Sequence, residues 1–112
     1  MSKFTFPSIK ETNDLSSLRL EVRKFISECI NNKEFVPAAD SWVFAADPEF
    51  SRKLGSKGWL GMSFPEQYGG NERTALERYV VTEELLASGA PVAAQWIADR
   101  QSGSQILRYG TE

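Results

Sequence analysis

Few side chains in this sequence could perform chemistry, and the thiol of Cys29 is the first to consider. The 112 residues contain one cysteine and no histidine, so the commonest general base and the commonest metal ligand are both missing. A Cys–His nucleophilic pair is therefore excluded within the chain, and no metal site is expected. Cys29 also lies on an apolar helical stripe with nothing nearby to lower its pKa, which predicts a buried, inert thiol.

Glu83 is the carboxylate whose position suggests acid–base chemistry. Thr74 and Glu77 form the capping-box pattern that opens a helix, and a projection at about 100° per residue places Glu83 in the middle of one apolar side of it. That side comprises Leu76, Tyr79, Val80, Leu86 and Ala87. A general base with a raised pKa is one interpretation. A structural carboxylate paired with an arginine or with backbone N–H groups is favoured, because no second catalytic group accompanies it. Glu84 is expected nearer to solvent.

Two further helices are predicted before this one. Apolar residues at spacings of three and four predict a first helix from Asp14 to about Asn32, capped by Asn13 or Asp14. Asp47 and Pro48 predict the start of a second, short helix, since aspartate caps a helix and proline fits its first turn. Gly58 is expected to end it.

The sequence also predicts the conformation of the segments between these helices. Trp42 and Phe44 are expected to anchor the loop after Pro37 to the core. Trp59–Phe64 reads as a buried extended segment. Pro65–Gly70 predicts a turn in which Gly69 and Gly70 permit positive φ, and this is favoured over a phosphate-binding loop because no glycine-rich fingerprint is present.

The end of the chain predicts a fourth helix. It is expected over Val92–Gln101, with Gly103 as a break and a last helical turn over Gln105–Tyr109. Thr111 and Glu112, directly after Gly110, resemble the start of another helix. The sequence therefore predicts one all-α domain spanning residues 1–112, cut where another helix would begin.

Composition limits the partners and the location. The net charge is −2, which gives neither nucleic acid nor an anionic membrane a basic patch to bind. No apolar run approaches the roughly 20 residues that span a bilayer. The first residues lack both a signal-peptide core and the arginine-rich character of a transit peptide, so a cytoplasmic location is expected.

An ordered set of short motifs resembles a known family. The pieces, in family order and spacing, are Leu54–Gly55, Gly58–Gly61, Phe64–Gly70, Glu83–Leu85 and Tyr109–Glu112. No single piece is specific, but together they make the chain from about Leu15 onward similar to the N-terminal helical domain of flavin-dependent acyl-CoA dehydrogenases. The resemblance implies a small antiparallel helical bundle from a larger enzyme with a central β-domain and a C-terminal four-helix domain.

The resemblance also implies an activity, a cofactor and partners. Family members are CH–CH oxidoreductases of lipid metabolism. A carboxylate removes the α-proton of an acyl-CoA while the β-hydrogen leaves as hydride to FAD, with electron-transfer flavoprotein as acceptor and a homo-oligomeric assembly. In the family the base and the main flavin contacts lie outside the N-terminal domain. The 112 residues are accordingly expected to contain no catalytic residue, to hold no FAD and to be inactive alone.

The resemblance implies that this domain contributes one wall of the cavity that binds the acyl group of the substrate. Counted back from Tyr109–Glu112, its lining candidates are Ala94, Ile97, Ala98 and Gln101. Asp99 and Arg100 interrupt this wall with charge. They are expected to pair with other parts of the protein, because a buried unpaired charge beside an alkyl tail is costly. If Arg100 instead faces the cavity, the preferred acyl tail is polar or carries a carboxylate.

Two alternatives remain open from the sequence. The same helical domain opens flavin-dependent monooxygenases of the superfamily, which lack the carboxylate base and activate oxygen with reduced flavin. A stand-alone helical interaction module, without chemistry, is the other.

Overall fold

The computed structural model describes residues 4–8 and 10–112, and within them it contains helices and turns without a β-strand. Helix α1 spans Asn13–Asn31 and α2 spans Ser41–Phe44. Helix α3 spans Pro48–Ser56 and α4 spans Ala75–Ala87, with a 3₁₀ turn over Glu66–Tyr68 between them. The all-α prediction is confirmed. None of the described helices has the length and apolar character that crossing a membrane requires.

The C-terminal helix is one continuous element over residues 93–109. It begins as α-helix at Ala93–Gln95, continues as π-helix over Trp96–Ser102 and ends as α-helix over Gly103–Tyr109. The predicted break at Gly103 is wrong. The Gly103 N–H donates to the Ala98 carbonyl, five residues back, which is the hydrogen bond of a π-helix. A Cβ at Gly103 would lie 2.6 Å from a Phe64 ring carbon, so glycine lets this helix touch Phe64.

The core lies between α1, α3 and α4. Its fifteen buried apolar residues are Leu18, Val22, Phe25, Ile26, Cys29, Phe35, Phe50, Leu54, Trp59, Met62, Val80, Val81, Leu85, Ala90 and Val92. Aromatic rings form its centre: Phe25 meets Trp59 edge-on at 5.3 Å, and Phe35 meets Phe50 at 5.0 Å. Such pairs add about 1 kcal/mol each to the effect of area burial.

Local sequence signals set several helix ends. Asp47 caps α3 by accepting from the backbone N–H groups of Glu49 and Phe50, and Gly58 follows the helix at φ 76°, both as predicted. The capping box of Thr74 and Glu77 is also confirmed. The cap predicted for α1 is wrong: Thr12 Oγ1 accepts from the Leu15 N–H, and Asn13 and Asp14 lie inside the first turn.

The connecting segments depart from prediction in two places. Phe44 is 83% exposed and anchors nothing within the described chain, whereas Trp42 packs edge-on against Trp96 at 5.0 Å. Residues 59–64 bury Trp59 and Met62 but are not extended. Gly61 takes φ 58°, and the Phe64 N–H donates to its carbonyl, which folds the segment into a turn.

The turn before α4 forms as predicted at Gly69, which has φ 82°. Gly70 does not take positive φ. It is glycine for a different reason, because a Cβ there would lie 2.1 Å from the Phe64 carbonyl oxygen.

The buried face of α4 differs from the predicted one. Its buried residues are Val80, Val81, Glu84 and Leu85, while Leu76 and Tyr79 are 61% and 59% exposed. The projection missed this face because apolar residues occur on both sides of α4. Helix α1 packs against the buried side.

Candidate functional site

The predicted substrate-binding residues all lie on the C-terminal helix, and they are all exposed. Four of them, Ile97, Ala98, Arg100 and Gln101, fall within its π-helical part, and Ala94 precedes it. Because π-helical turns shift the faces that follow them and occur often at functional sites, the predicted single wall is divided between two sides of the helix.

An apolar groove lies on one side, between the C-terminal helix and residues 59–64. Ala94 and Ala98 line it together with Leu60, Gly61 and Phe64, and its volume is about 330 Å³. We call it the alanine groove. Two small side chains facing two large apolar ones leave a trough that an aliphatic chain could occupy.

A polar groove of about 520 Å³ lies on the other side, between the C-terminal helix and α4. We call it the arginine groove, and its lining residues are Ala75, Arg78, Tyr79, Thr82, Arg100, Gln101 and Gln105. The structure therefore places Ala94 and Ala98 in the alanine groove, and Arg100 and Gln101 in the arginine groove. Ile97 lines neither groove and points to solvent, 56% exposed.

The side chains of Asp99 and Arg100 each make a contact within the described chain. The Gly61 N–H donates to Asp99 Oδ2 at 2.9 Å, which ties the C-terminal helix to the turn at residues 59–64. The Arg100 guanidinium lies over the Trp96 ring, 4.2 Å from its centroid, an attractive cation–π geometry.

A small, partly open cavity of about 50 Å³ lies between α4 and the C-terminal helix, and Arg78, Asp99 and Arg100 are among its lining residues. Gln95 and Asp99 line it, and the buried oxygens Gln95 Oε1 and Asp99 Oδ1 have no hydrogen-bond partner among the described residues. Unpaired buried acceptors are costly, and the cavity is large enough to hold a water molecule.

A charge network joins α1 to α4 and accounts for the two carboxylates considered from the sequence. Arg19 donates to Glu83 at 3.1 Å and to Glu84 at 2.6 Å, and Arg23 donates to Glu84 at 2.8 Å. Arg19 also binds Glu11. The favoured interpretation of Glu83, a structural carboxylate paired with an arginine, is confirmed.

Glu84 is the more buried of the two carboxylates, which corrects the expectation that it lies near solvent. It is 8% exposed, and hydrogen bonds from Arg23, then Arg19, hold the pKa of its carboxyl below the usual range despite burial. The sequence does contain a signal for this burial. Glu84 and Leu85 follow Val80 and Val81 by four residues, a spacing that places all four on one side of a helix.

The remaining reactive groups offer no further site. Cys29 is buried, and burial raises the pKa of its thiol, which reduces its reactivity. Among the described residues, no cluster of three or more histidine, cysteine or acidic side chains is arranged to hold a metal ion.

None of the three depressions described above encloses the volume that FAD would need. The partly open cavity holds about 50 Å³, far below the roughly 300 Å³ at which ligand pockets begin. The alanine and arginine grooves are open to solvent and cannot enclose a flavin.

Comparisons with known proteins agree with this fold and show the family of the chain. The family model described as acyl-CoA dehydrogenase, N-terminal domain, matches residues 12–112. The glutaryl-CoA dehydrogenase of Desulfococcus multivorans is 32% identical over 90% of the chain and 26% of its own length. The mitochondrial isovaleryl-CoA dehydrogenase of Pongo abelii is 35% identical over 85% of the chain and 22% of its own length.

A solved structure shares the fold. It is named Tcur3481-Tcur3483 steroid ACAD, and it superposes with a TM-score of 0.70 at 30% identity, over 92% of this chain and 27% of that one. The chain thus spans about a quarter of the length of these relatives.

Proposed function

Because the chain belongs to the acyl-CoA dehydrogenase family, as its N-terminal domain, we propose that it forms a wall of the acyl-binding cavity in an enzyme that oxidises acyl-CoA thioesters between Cα and Cβ. The observation that carries this is the alanine groove. Ala94 and Ala98 face Leu60 and Phe64 across it, so one apolar surface remains available to an acyl tail after the domain has folded. The names of the relatives, glutaryl-CoA and isovaleryl-CoA dehydrogenase, support an acyl-CoA substrate.

The chain's own contribution is binding and orientation. Burial of an alkyl tail in the alanine groove would contribute about 0.8 kcal/mol for each CH₂ removed from water. The bond between Asp99 and the Gly61 N–H fixes the two sides of that groove relative to each other. Rigid walls of this kind position a substrate so that its reacting carbons reach the catalytic groups in one orientation.

We assign the catalytic carboxylate and the flavin site to parts of the full-length enzyme outside these 112 residues. Glu83 and Glu84 are both engaged by arginines, and neither the alanine groove nor the arginine groove encloses a flavin. When bound, FAD would supply the hydride acceptor. The proposal includes electron-transfer flavoprotein as electron acceptor, a homo-oligomeric enzyme and a cytoplasmic location.

Ala98→Phe in the full-length enzyme tests the wall directly. The larger side chain would fill the alanine groove, so kcat/KM for a long straight acyl-CoA should fall at least about tenfold, equivalent to about 1.4 kcal/mol, while a two- or three-carbon shorter acyl group is affected less. Ala87→Phe, on the exposed end of α4 and outside both grooves, is the matched control. If Ala98→Phe and Ala87→Phe change chain-length preference equally, the alanine groove is not the wall.

A further inference from the structure

The two carboxylate oxygens of Asp99 have unequal surroundings. Oδ2 accepts from the Gly61 N–H at 2.9 Å, whereas Oδ1 is buried and has no hydrogen-bond partner within the described chain. Gln95, four residues earlier, shows the same inequality, since its Nε2 donates to Ser51 Oγ while its Oε1 is buried without a partner. Both residues line the cavity between α4 and the C-terminal helix, so a donor for the two oxygens is to be sought among the other residues of that lining.

Arg78 is a residue of this lining that lacks a partner of its own. It is half-buried, and none of the ion pairs within the described chain includes it. Arg78, Thr82 and Leu85 all line the cavity, and their spacing of four and three places Arg78 on the side of α4 that faces the C-terminal helix. A partly buried charge without a partner is costly, as is a buried acceptor without a donor. Both deficits occur at this one cavity.

The guanidinium of Arg78 is suited to these acceptors. Arg78 lines the arginine groove as well as the cavity, so rotation of its side chain can carry the guanidinium from one to the other. The cavity volume of about 50 Å³ exceeds the roughly 10–15 Å³ that one water molecule needs, which leaves room for a larger polar group. A guanidinium carries five N–H donors in a planar fork, so it can donate to Asp99 Oδ1 and Gln95 Oε1 together.

Arg100 also lines the cavity, but it is less suited to this contact. It directly follows Asp99, and successive residues of a helix point in different directions. Its guanidinium lies over the Trp96 ring, 4.2 Å from the centroid.

We propose that Arg78 is the second partner of the Asp99 carboxylate, and that this ion pair fixes the C-terminal helix to α4. Asp99 then joins three parts of the domain, because it holds the turn at residues 59–64 through Oδ2 and α4 through Oδ1. One consequence rests on the proposed function. Asp99 and Gly61 both line the alanine groove, so Arg78 is a positioning residue for that wall. It acts through Asp99 and touches no substrate.

A double-mutant cycle in the 112-residue chain tests the pair. Arg78→Met removes the charge and keeps a long side chain, and it should raise the unfolding equilibrium constant about tenfold. In the Asp99→Asn background the same substitution should raise it less than about twofold, because the carboxylate is already gone. Arg100→Met is the matched control, since Arg100 lines the same cavity. Its effect should be the same, within about twofold, in both backgrounds.

NMR of the parent chain gives a second measurement, which needs no variant to fold. The Nε–H proton of Arg78 should exchange with water about tenfold more slowly than that of Arg108, because a hydrogen-bonded proton is protected. Arg108 stacks on Tyr109 and lines neither the cavity nor the arginine groove. Equal effects of Arg78→Met in the two backgrounds, or equal exchange of the two Nε–H protons, would overturn the pair and leave a buried water molecule as the donor to Asp99 Oδ1.

The positioning role is tested in the full-length enzyme. Arg78→Met should raise KM for a long acyl-CoA at least about threefold with a smaller change in kcat, because a displaced wall weakens binding of the tail. Arg108→Met should leave both constants unchanged. An unchanged KM in Arg78→Met, with the coupling to Asp99 present in the isolated chain, would refute the positioning role. The Ala98→Phe experiment judges the proposed function separately.

Discussion

Gly70→Ala is expected to lower the free energy of unfolding by about 3 kcal/mol or more, at or above the upper end of overpacking effects. The added Cβ would lie 2.1 Å from the Phe64 carbonyl oxygen and 2.3 Å from its carbonyl carbon. These are backbone atoms, so no side-chain rotation relieves the clash. The turn at residues 65–70, closed by the hydrogen bond from the Gly70 N–H to the Pro65 carbonyl, must move as a whole. Urea denaturation measures the loss.

Gly69→Ala separates this steric effect from backbone strain. Gly69 has φ 82°, and no neighbouring atom lies within 4 Å of the Cβ position, so alanine there should cost only about 1 kcal/mol, the strain of the left-handed region. Equal destabilisation by the two substitutions would show that Gly70 is not required for the close approach to Phe64.

Glu84→Gln is expected to destabilise the chain by about 2 kcal/mol near neutral pH, because it weakens the hydrogen bonds of a buried carboxylate to two arginines. Arg19 and Arg23 would keep their charges with a neutral amide between them. Glu83→Gln is the control: its side chain is 45% exposed and forms an ion pair with Arg19, at 3.1 Å. It should change stability by about 0.5 kcal/mol or less.

The Glu84 contribution should depend on pH with a defined sign. Its folded-state pKa lies below the ordinary carboxyl value, mainly through the hydrogen bond from Arg23. The carboxylate therefore stabilises the fold fully at pH above that ordinary value, and the contribution is lost as pH falls through the lowered folded-state pKa. The difference between the parent chain and Glu84→Gln should shrink in acid. A difference that stays constant down to the acid unfolding transition would contradict this assignment.

Local chemistry made part of the fold predictable. Asp47–Pro48 and the box at Thr74–Glu77 each satisfy free N–H groups within a few residues, so their effect can be inferred from sequence alone. The favoured interpretation of Glu83 also followed from the absence of a partner catalytic group, although the partner itself, Arg19, lies 64 residues away.

The features that could not be predicted from the sequence depend on tertiary contacts. Glycine normally interrupts a helix, and only the proximity of the Phe64 ring shows why Gly103 continues one. The bond between Asp99 and the Gly61 N–H joins residues 38 apart, and the arginine groove exists because α4 and the C-terminal helix lie side by side. Helical periodicity places Ala94, Ile97, Ala98 and Gln101 on one face, but the π-helical part divides that face.

Anaerobic mixing of acyl-CoA with the full-length protein tests whether this domain belongs to an enzyme that dehydrogenates acyl-CoA. We expect this protein to be purified with bound FAD, acyl-CoA to bleach the flavin without oxygen, and enoyl-CoA to form in equal amount. The 112-residue chain prepared in parallel should be colourless and should leave acyl-CoA unchanged. A flavin that acyl-CoA does not bleach, with product formed only when oxygen and a reductant are added, would indicate a monooxygenase instead. A yellow, FAD-retaining preparation of the 112 residues would contradict the assignment of the flavin site to other parts of the enzyme.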